Sequence, residues 1–392
     1  MAAKGLSLSH ITAGFIAVMT GYTSSVVIVL QAAAAAGADP AQTASWLWAL
    51  GLAMGVTSLG FSLRYKIPVL TAWSTPGAAL LATALSGFST AEAYGAFIVC
   101  ALLTLISGVT GGFARLMHLI PLPLANAMLA GILLQFGLGI FTSLGEQPLL
   151  SGAMLVIFLA AKRLMPSAAM LLVLLGGVLI AAAQGMLSGE LPALTLTQPH
   201  FTAPAFSGAA ILGVALPLFI VTMTSQNLPG IAVLRSHGYT PPVSALLSGT
   251  GLVNLLLAPF GGYSCNLAAI TAAICMSEDV DRDPAQRYKA AAFAGLFYLL
   301  AGLFGAAIVA LFALLPGALV MTLAGLALLG TIGSSLHNAL SDSDTAQAGL
   351  IAFLVTASGL SLFGIGSAFW GLVLGVLAQA SGSVRLNRRK SA

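Results

Sequence analysis

The sequence predicts an all-α polytopic membrane protein of fourteen transmembrane segments, arranged as two inverted repeats of seven, with short extended stretches in segments 3 and 10. Three observations lead there. Of the 392 residues, 59% are hydrophobic and 6% charged, with a mean hydropathy of +1.03, where an ordinary soluble domain carries roughly 25% charged residues. Polar breaks divide the chain into apolar stretches close to the ~20 residues that cross a bilayer. Two of those stretches are interrupted in a similar way, one in each half.

Taken in order, the segments run 9–36, 42–63, 67–86, 91–113, 121–143, 147–162, 166–187, 207–234, 241–260, 262–277, 287–312, 315–337, 345–364 and 366–383. Charge placement tests this division. With the N-terminus in the cytoplasm, the inward loops hold Arg64, Lys66, Arg115, Lys162, Arg163, Arg235, Arg282, Arg287 and Lys289. Lys4 and the tail residues Arg385, Arg388, Arg389 and Lys390 complete the 14 Lys and Arg. The outward loops carry Asp39, Glu92, Glu146 and Glu190 and no Lys or Arg, as the positive-inside rule requires of this count with both termini cytoplasmic.

Segment 3 contains Thr71-Ala72-Trp73-Ser74-Thr75-Pro76-Gly77-Ala78-Ala79. Pro76 lacks an N–H and disfavours helix at Thr75, so the segment enters extended and leaves helical. Thr75 is the expected N-cap and Pro76 the first helical residue, leaving N–H groups that attract an anion. Segment 10 repeats the construction at Gly261-Gly262-Tyr263-Ser264-Cys265-Asn266-Leu267-Ala268-Ala269. At a spacing of 190 residues, Trp73 falls on Tyr263, Ser74 on Ser264 and Ala78-Ala79 on Ala268-Ala269. Interrupted segments in corresponding halves point to a transporter binding site.

Other matches extend the repetition. At a spacing of 194, Gly108 meets Gly302, Gly111 meets Gly305 and Leu129-Ala130-Gly131 meets Leu323-Ala324-Gly325; at 201, Thr23-Ser24 meets Thr224-Ser225. Seven is odd, so the second copy lies upside down in the membrane. The expected organisation is residues 1–187 as the first repeat, 188–206 as an outward linker, 207–383 as the second repeat and 384–392 as a basic cytoplasmic tail.

Several function classes are excluded. The basic residues are scattered along loops, a topology signal rather than a nucleic-acid surface. Cys100, Cys265 and Cys275 sit in apolar runs, with neither a disulfide framework nor zinc-ligand spacing. The loop Ser277 to Pro284 superficially resembles a calcium loop but lacks its glycine and terminal glutamate. Neither metal nor cofactor is expected. All Asp and Glu, and all five His, fall in loops or at segment ends, so no catalytic pair exists and the chain is not expected to be an enzyme. The first apolar run is too long for a signal-peptide core and reads as a retained span.

What occupies the midplane is neutral and polar. Segment 8 holds Ser225, Gln226 and Asn227 just before Pro229-Gly230, and segment 1 holds Ser24. Adjacent amides project in different directions, and the proline frees carbonyls nearby, so a site role is favoured for Gln226 and Asn227. The segment 1 hydroxyls serve equally well as helix glue. At the breaks, Ser74, Thr75, Gly77, Ser264, Cys265 and Asn266 are candidates, with Asn266 able to cap the second half-helix as Thr75 caps the first. Trp73 and Tyr263 either pack or wall an aromatic cargo.

Three stretches carry a family resemblance: Pro68-Val69-Leu70-Thr71-Ala72-Trp73-Ser74-Thr75-Pro76-Gly77, Ala215-Leu216-Pro217-Leu218-Phe219 through Ser225-Gln226-Asn227, and Ala268-Ala269-Ile270-Thr271-Ala272-Ala273-Ile274-Cys275. Leu323 to Leu329 and Gly364 to Gly371 extend it over nearly the whole chain. These resemble the benzoate/proton symporter (BenE) family, which implies an inner-membrane secondary transporter importing benzoate or a related aromatic carboxylate with protons. The chain is more distantly similar to the uracil-permease (UraA) fold. That fold implies a core domain of segments 1–4 and 8–11, a gate domain of segments 5–7 and 12–14, and, by analogy alone, a homodimer. Nucleobase relatives of the fold carry carboxylates near the positions of Gln226 and Cys265 here, so no proton-coupling residue carries over. Other small organic anions, nucleobases and an anion channel of the same fold stay open as alternatives.

Overall fold

The computed structural model describes residues 7–113, 115, 121–187, 189 and 192–390. Lys4, His118, Glu190, the first residue of the expected linker and the last two of the tail lie outside the described residues.

The chain is built almost wholly from helices: α1 (Leu8–Ala35), α2 (Pro40–Tyr65), α3 (Thr75–Ala84), α4 (Thr90–Val109), α5 (Leu122–Glu146), α6 (Pro148–Leu164) and α7 (Ala169–Ala183). The second half has α8 (Gly208–Ser236), α9 (Val243–Phe260), α10 (Ile270–Met276), α11 (Tyr288–Leu303), α12 (Gly305–Ala313), α13 (Gly317–Leu340), α14 (Ala346–Ala357) and α15 (Ser367–Lys390). Two three-residue strands, β1 (Thr71–Trp73) and β2 (Cys265–Leu267), precede α3 and α10. Among the described residues, seven helices are long and apolar enough to cross a membrane alone. An eighth crossing forms if α11 and α12 are joined across their 64° bend. The polytopic membrane character is therefore plain, while the remaining apolar stretches are shorter than a full crossing, including that of α15, whose apolar part ends at Ser381.

Helix ends follow local chemistry. Asp39 caps α2 by accepting from the Gln42 N–H at 2.8 Å, with Pro40 at the first helical position, and Ser89 caps α4 in a box with Glu92. In α8 the residues before Pro217 and Pro229 widen into π-turns at Ile211–Ala215 and Met223–Asn227. Each proline lacks an N–H and would clash with the carbonyl four residues back. An extra residue in the preceding turn relieves the clash, with Leu216 and Leu228 bonding five residues back, to Ile211 and Met223.

Close packing runs through glycine seams, as bundles in lipid require. A Cβ on Gly51 of α2 would lie 2.5 Å from Gly302 Cα of α11; one on Gly108 of α4 would lie 2.4 Å from the Ser248 nitrogen of α9; one on Gly325 of α13 would lie 2.4 Å from the Phe136 carbonyl oxygen of α5. The same main core cluster contains the aromatic side chains Trp46, Trp73, Tyr94, Phe97, Tyr263 and Tyr298.

Candidate functional site

The two breaks meet. β1 and β2 pair antiparallel, Thr71 opposite Leu267, Ala72 opposite Asn266 and Trp73 opposite Cys265. Ser74 N–H to the Ser264 carbonyl at 3.1 Å and Ala268 N–H to the Leu70 carbonyl at 2.9 Å extend the ladder. Non-helical backbone at membrane depth must have its polar groups satisfied by protein, and side chains do this along both outer edges. Asn254 of α9 acts as a third strand for Cys265, accepting its N–H at 2.9 Å and donating to its carbonyl at 3.0 Å. Asn227 accepts the Leu267 N–H at 3.1 Å. On the β1 side, Ser58 Oγ accepts the Thr71 N–H at 2.9 Å, and Thr57, Ser58 and Thr71 share a buried hydroxyl network.

Three expectations are corrected. The cap of α3 is Ser74, whose Oγ accepts the Gly77 N–H at 2.9 Å; Thr75 is already helical and Pro76 second. Ser74 is the residue that keeps extended dihedrals, so it alone can turn its oxygen back onto the helix start. Asn266 caps nothing: it lies within β2, its amide donating to Ser264 Oγ at 2.7 Å, and α10 starts four residues later without a side-chain cap. The breaks correspond at a spacing of 194 rather than 190, since β1 begins at Thr71 and β2 at Cys265. At that strand spacing Trp73 falls on Leu267, where the sequence match placed it on Tyr263. The helix-seam glycines Gly108 and Gly302 share that same 194 spacing.

The twelve sequence-selected residues divide by exposure. Trp73, Ser74, Gly77, Asn227, Tyr263, Ser264, Cys265 and Asn266 are buried, whereas Ser24, Thr75, Ser225 and Gln226 are half-buried. The buried ones hold one another. Tyr263 donates its hydroxyl to the Ser74 carbonyl at 2.9 Å and packs between Trp46 and Phe97. Trp73 donates its indole N–H to Ser25 Oγ at 2.8 Å and meets Tyr22 edge-on at 4.6 Å. Gly77 is kept small because a Cβ would lie 2.8 Å from both Ser74 Oγ and Leu218 Cδ1. Among the half-buried four, Ser24 and Ser225 hydroxyls bond back to their own helices at 3.0 and 2.6 Å. The Gln226 amide is engaged in none of the hydrogen bonds among the described residues.

Sequence reasoning passed over three groups. Asn254 had a usable signal, an amide in the apolar run Leu252-Val253-Asn254-Leu255. Tyr22 and Tyr298, with rings 6.2 Å apart, are 8% and 1% exposed, and their hydroxyls have no partner among the described residues; such orphans are visible only once the helices are packed. Two clefts lie away from the twelve. One of about 660 Å³ runs between α1, α2, α12 and α13 and includes Gln31, Ala44, Phe312 and Val320. The other, about 530 Å³, lies between the end of α3, α5, the start of α8 and the α14–α15 connection, with Phe88 and Gln135 in its wall.

Helices broken at membrane depth, paired through short antiparallel strands and offering neutral polar groups there, define a membrane transporter. The sequence profile of the benzoate membrane transport protein family, BenE, matches residues 4–381, and the chain belongs to that family. It is 54% identical over 363 residues to the inner membrane protein YdcO of Escherichia coli K12, covering 93% of each chain. It is 41% identical over 372 residues to a benzoate membrane transport protein of Acinetobacter baylyi, covering 95% of this chain and 94% of that one. Among solved structures it resembles the transmembrane domain of a cyanobacterial bicarbonate transporter, BicA, with a TM-score of 0.57 at 15% identity, over 97% of this chain and 98% of that one. It also resembles SLC26A9, with a TM-score of 0.61 at 14% identity, over 96% of this chain and 66% of that one. At such identities the likeness concerns the fold alone.

Proposed function

We propose that this chain is a secondary active transporter that imports benzoate or a related aromatic carboxylate together with protons. The observation that carries this reading is the crossing of β1 and β2. Span 1 reaches the first break through Ser25 and span 8 the second through Asn227, so half-buried Ser24, Thr75, Ser225 and Gln226 lie on or next to residues that hold the breaks, and the surrounding polar groups are committed to keeping them in place. A cargo that binds there meets neutral donors and acceptors against apolar walls, which suits an aromatic ring with one polar head. Trp73, Ser74, Gly77, Asn227, Tyr263, Ser264, Cys265 and Asn266 then act as the frame behind the site.

The chain crosses the inner membrane fourteen times with both termini cytoplasmic, the short helices completing the spans that single long helices leave open. Exchange-related packing supports two inverted halves. α2 packs on α11 as α4 packs on α9, β1 pairs with β2, and α5 pairs with its counterpart α13. Segments 1–4 and 8–11 form a core moving against a gate of segments 5–7 and 12–14, giving alternating access, and the protein works as a homodimer. Uptake of radiolabelled benzoate into proteoliposomes tests the assignment. Accumulation driven by an inward proton gradient and abolished by an uncoupler is expected. Folded protein that neither binds nor accumulates benzoate removes the substrate assignment, and downhill flux without accumulation identifies a channel.

A further inference from the structure

Proton coupling in a carrier needs a group that takes the proton inside the membrane, and the described spans supply none of the usual kind. Among the described residues, every Asp, Glu, Lys, Arg and His lies in a loop or at the end of a helix. Arg235, the nearest charge along α8 from Gln226, is nine residues on, about 13 Å at 1.5 Å per residue. The elements packed on the π-turn that holds Gln226 are β2 and α5. β2 offers Cys265, and α5 has a single charged residue, Glu146, at its end. Around α1, the packed elements α2, α3, α7, α10, α11 and α13 bring Cys275 and Tyr298, with Arg64, Tyr65, Tyr288, Lys289 and His337 at helix ends. His10 and its partner Asp281, 3.1 Å away, sit at the inner end of α1.

A carboxylate in such a neutral, mostly apolar site loses its hydration and gains no counter-charge, so binding favours the uncharged acid. A carboxylic acid also has a partner of matching shape. The carboxamide of a glutamine can accept the acid O–H on its oxygen while donating an N–H to the acid carbonyl, two parallel hydrogen bonds in one plane. Gln226 is half-buried with its amide engaged in none of the hydrogen bonds among the described residues, while the neighbouring Asn227 is fully committed.

We infer that the cargo crosses as its protonated acid, read by the Gln226 carboxamide, and that the co-transported proton is the cargo's own. Outside, a carboxylate oxygen forms an O–H bond with a proton taken from hydronium, releasing water. Inside, that bond breaks to water and the carboxylate is regenerated. One proton moves per cargo, no net charge crosses, and no side chain of the protein changes protonation.

This rests on the aromatic-carboxylate reading, and the test separates the two. Radiolabelled benzoate binding to the full chain in nanodiscs is measured between about pH 6 and about pH 8, above the range near 4 where free carboxylic acids titrate. Apparent affinity is expected to fall about tenfold per pH unit, because only the protonated fraction is competent. In weak buffer a pH dye should record one proton taken up per benzoate bound. Isotope-edited infrared of carboxyl-labelled benzoate should show an acid carbonyl in the bound state. Benzamide should compete and benzenesulfonate should not. His10→Gln should leave all of this unchanged. Gln226→Leu should bind neither benzoate nor benzamide yet elute as wild type on gel filtration.

Affinity independent of pH, with a bound carboxylate band and no proton uptake, overturns the inference. Proton uptake lost in His10→Gln does so too, by placing the proton on the protein. Absence of benzoate binding at every pH overturns the carboxylate reading itself, and this one falls with it.

Discussion

The side-chain amide of Asn227 donates to Asn266 Oδ1 at 3.0 Å, and its own oxygen accepts the Leu267 N–H at 3.1 Å. Span 8 is thereby fastened to β2 of the second broken span at the turn that presents Gln226. Two amides adjacent in sequence have separate tasks because the π-turn before Pro229 aims one at the strand and leaves the other half-buried.

Asn227→Leu should therefore destabilise. It leaves the Leu267 N–H and the Asn266 carboxamide oxygen unpartnered in a dry interior, roughly 1–3 kcal/mol for each orphaned group. A lowered melting temperature of the detergent-solubilised protein is the expected outcome. Gln226→Leu should melt within ~0.5 kcal/mol of wild type and yet abolish benzoate uptake. Equal melting of the two variants contradicts the division of tasks.

Asn254→Ala probes the other edge. Both the N–H and the carbonyl of Cys265 lose their partner at once, so its destabilisation should exceed that of most single truncations, about 2–4 kcal/mol. Thermal unfolding followed by fluorescence of the tryptophans measures it. A wild-type melting curve would mean that β2 is not held in this way.

The legible part of this fold was its punctuation. Pro76 and the glycines around Tyr263 announced two breaks, and the long apolar runs announced a polytopic membrane chain. Capping was legible by type and misplaced by one residue, because Ser74 and Thr75 are both good caps and only the backbone dihedrals decide which stays extended. Asn266 was misread because a polar residue just before a helical run looks like a cap, while here it closes a strand pair whose partner lies 194 residues away in Ala72. Distances of that kind leave no local trace. Tyr22 and Tyr298 were silent for the same reason: their sequence neighbours are ordinary, and only packing brings the rings together.

Glycine seams give a prediction of opposite signs. Gly51→Ala puts a Cβ 2.5 Å from Gly302 Cα, backbone against backbone, so α2 and α11 must separate. A loss of roughly 1–3 kcal/mol is expected. Gly60, on the same helix, has nothing within 4 Å of its added Cβ. Gly60→Ala should be neutral or stabilise by up to about 1 kcal/mol through helix propensity. Paired melting curves check both signs together.

Tyr298→Phe tests whether the buried hydroxyl is truly without a partner. The asymmetry of hydrogen bonding decides the sign: removing a group that has a partner costs stability, and removing an orphan does not. Because Tyr298 Oη is enclosed and has no hydrogen-bond partner among the described residues, the variant should melt no lower than wild type. A drop of more than ~1 kcal/mol would show that the hydroxyl has a partner after all, either the nearby Thr271 hydroxyl or an internal water.

Exposure at the breaks predicts a pattern of chemical labelling. The native Cys100, Cys265 and Cys275 are buried, so a small hydrophilic maleimide should leave the folded wild-type protein unlabelled, since reaction needs an accessible thiolate. That gives a silent background against which single new cysteines can be read. Ser24→Cys, Thr75→Cys and Ser225→Cys replace half-buried residues in spans 1, 3 and 8 and should each react. Ser264→Cys, at a buried position behind the strand pair, should not. Saturating benzoate should slow the first three several-fold if the cargo sits where spans 1, 3 and 8 converge, and should leave the background untouched. Labelling of Ser264→Cys at the rate of Thr75→Cys would mean that the frame opens to water, and protection absent from all three would move the cargo away from the breaks, toward the cleft beside Gln135.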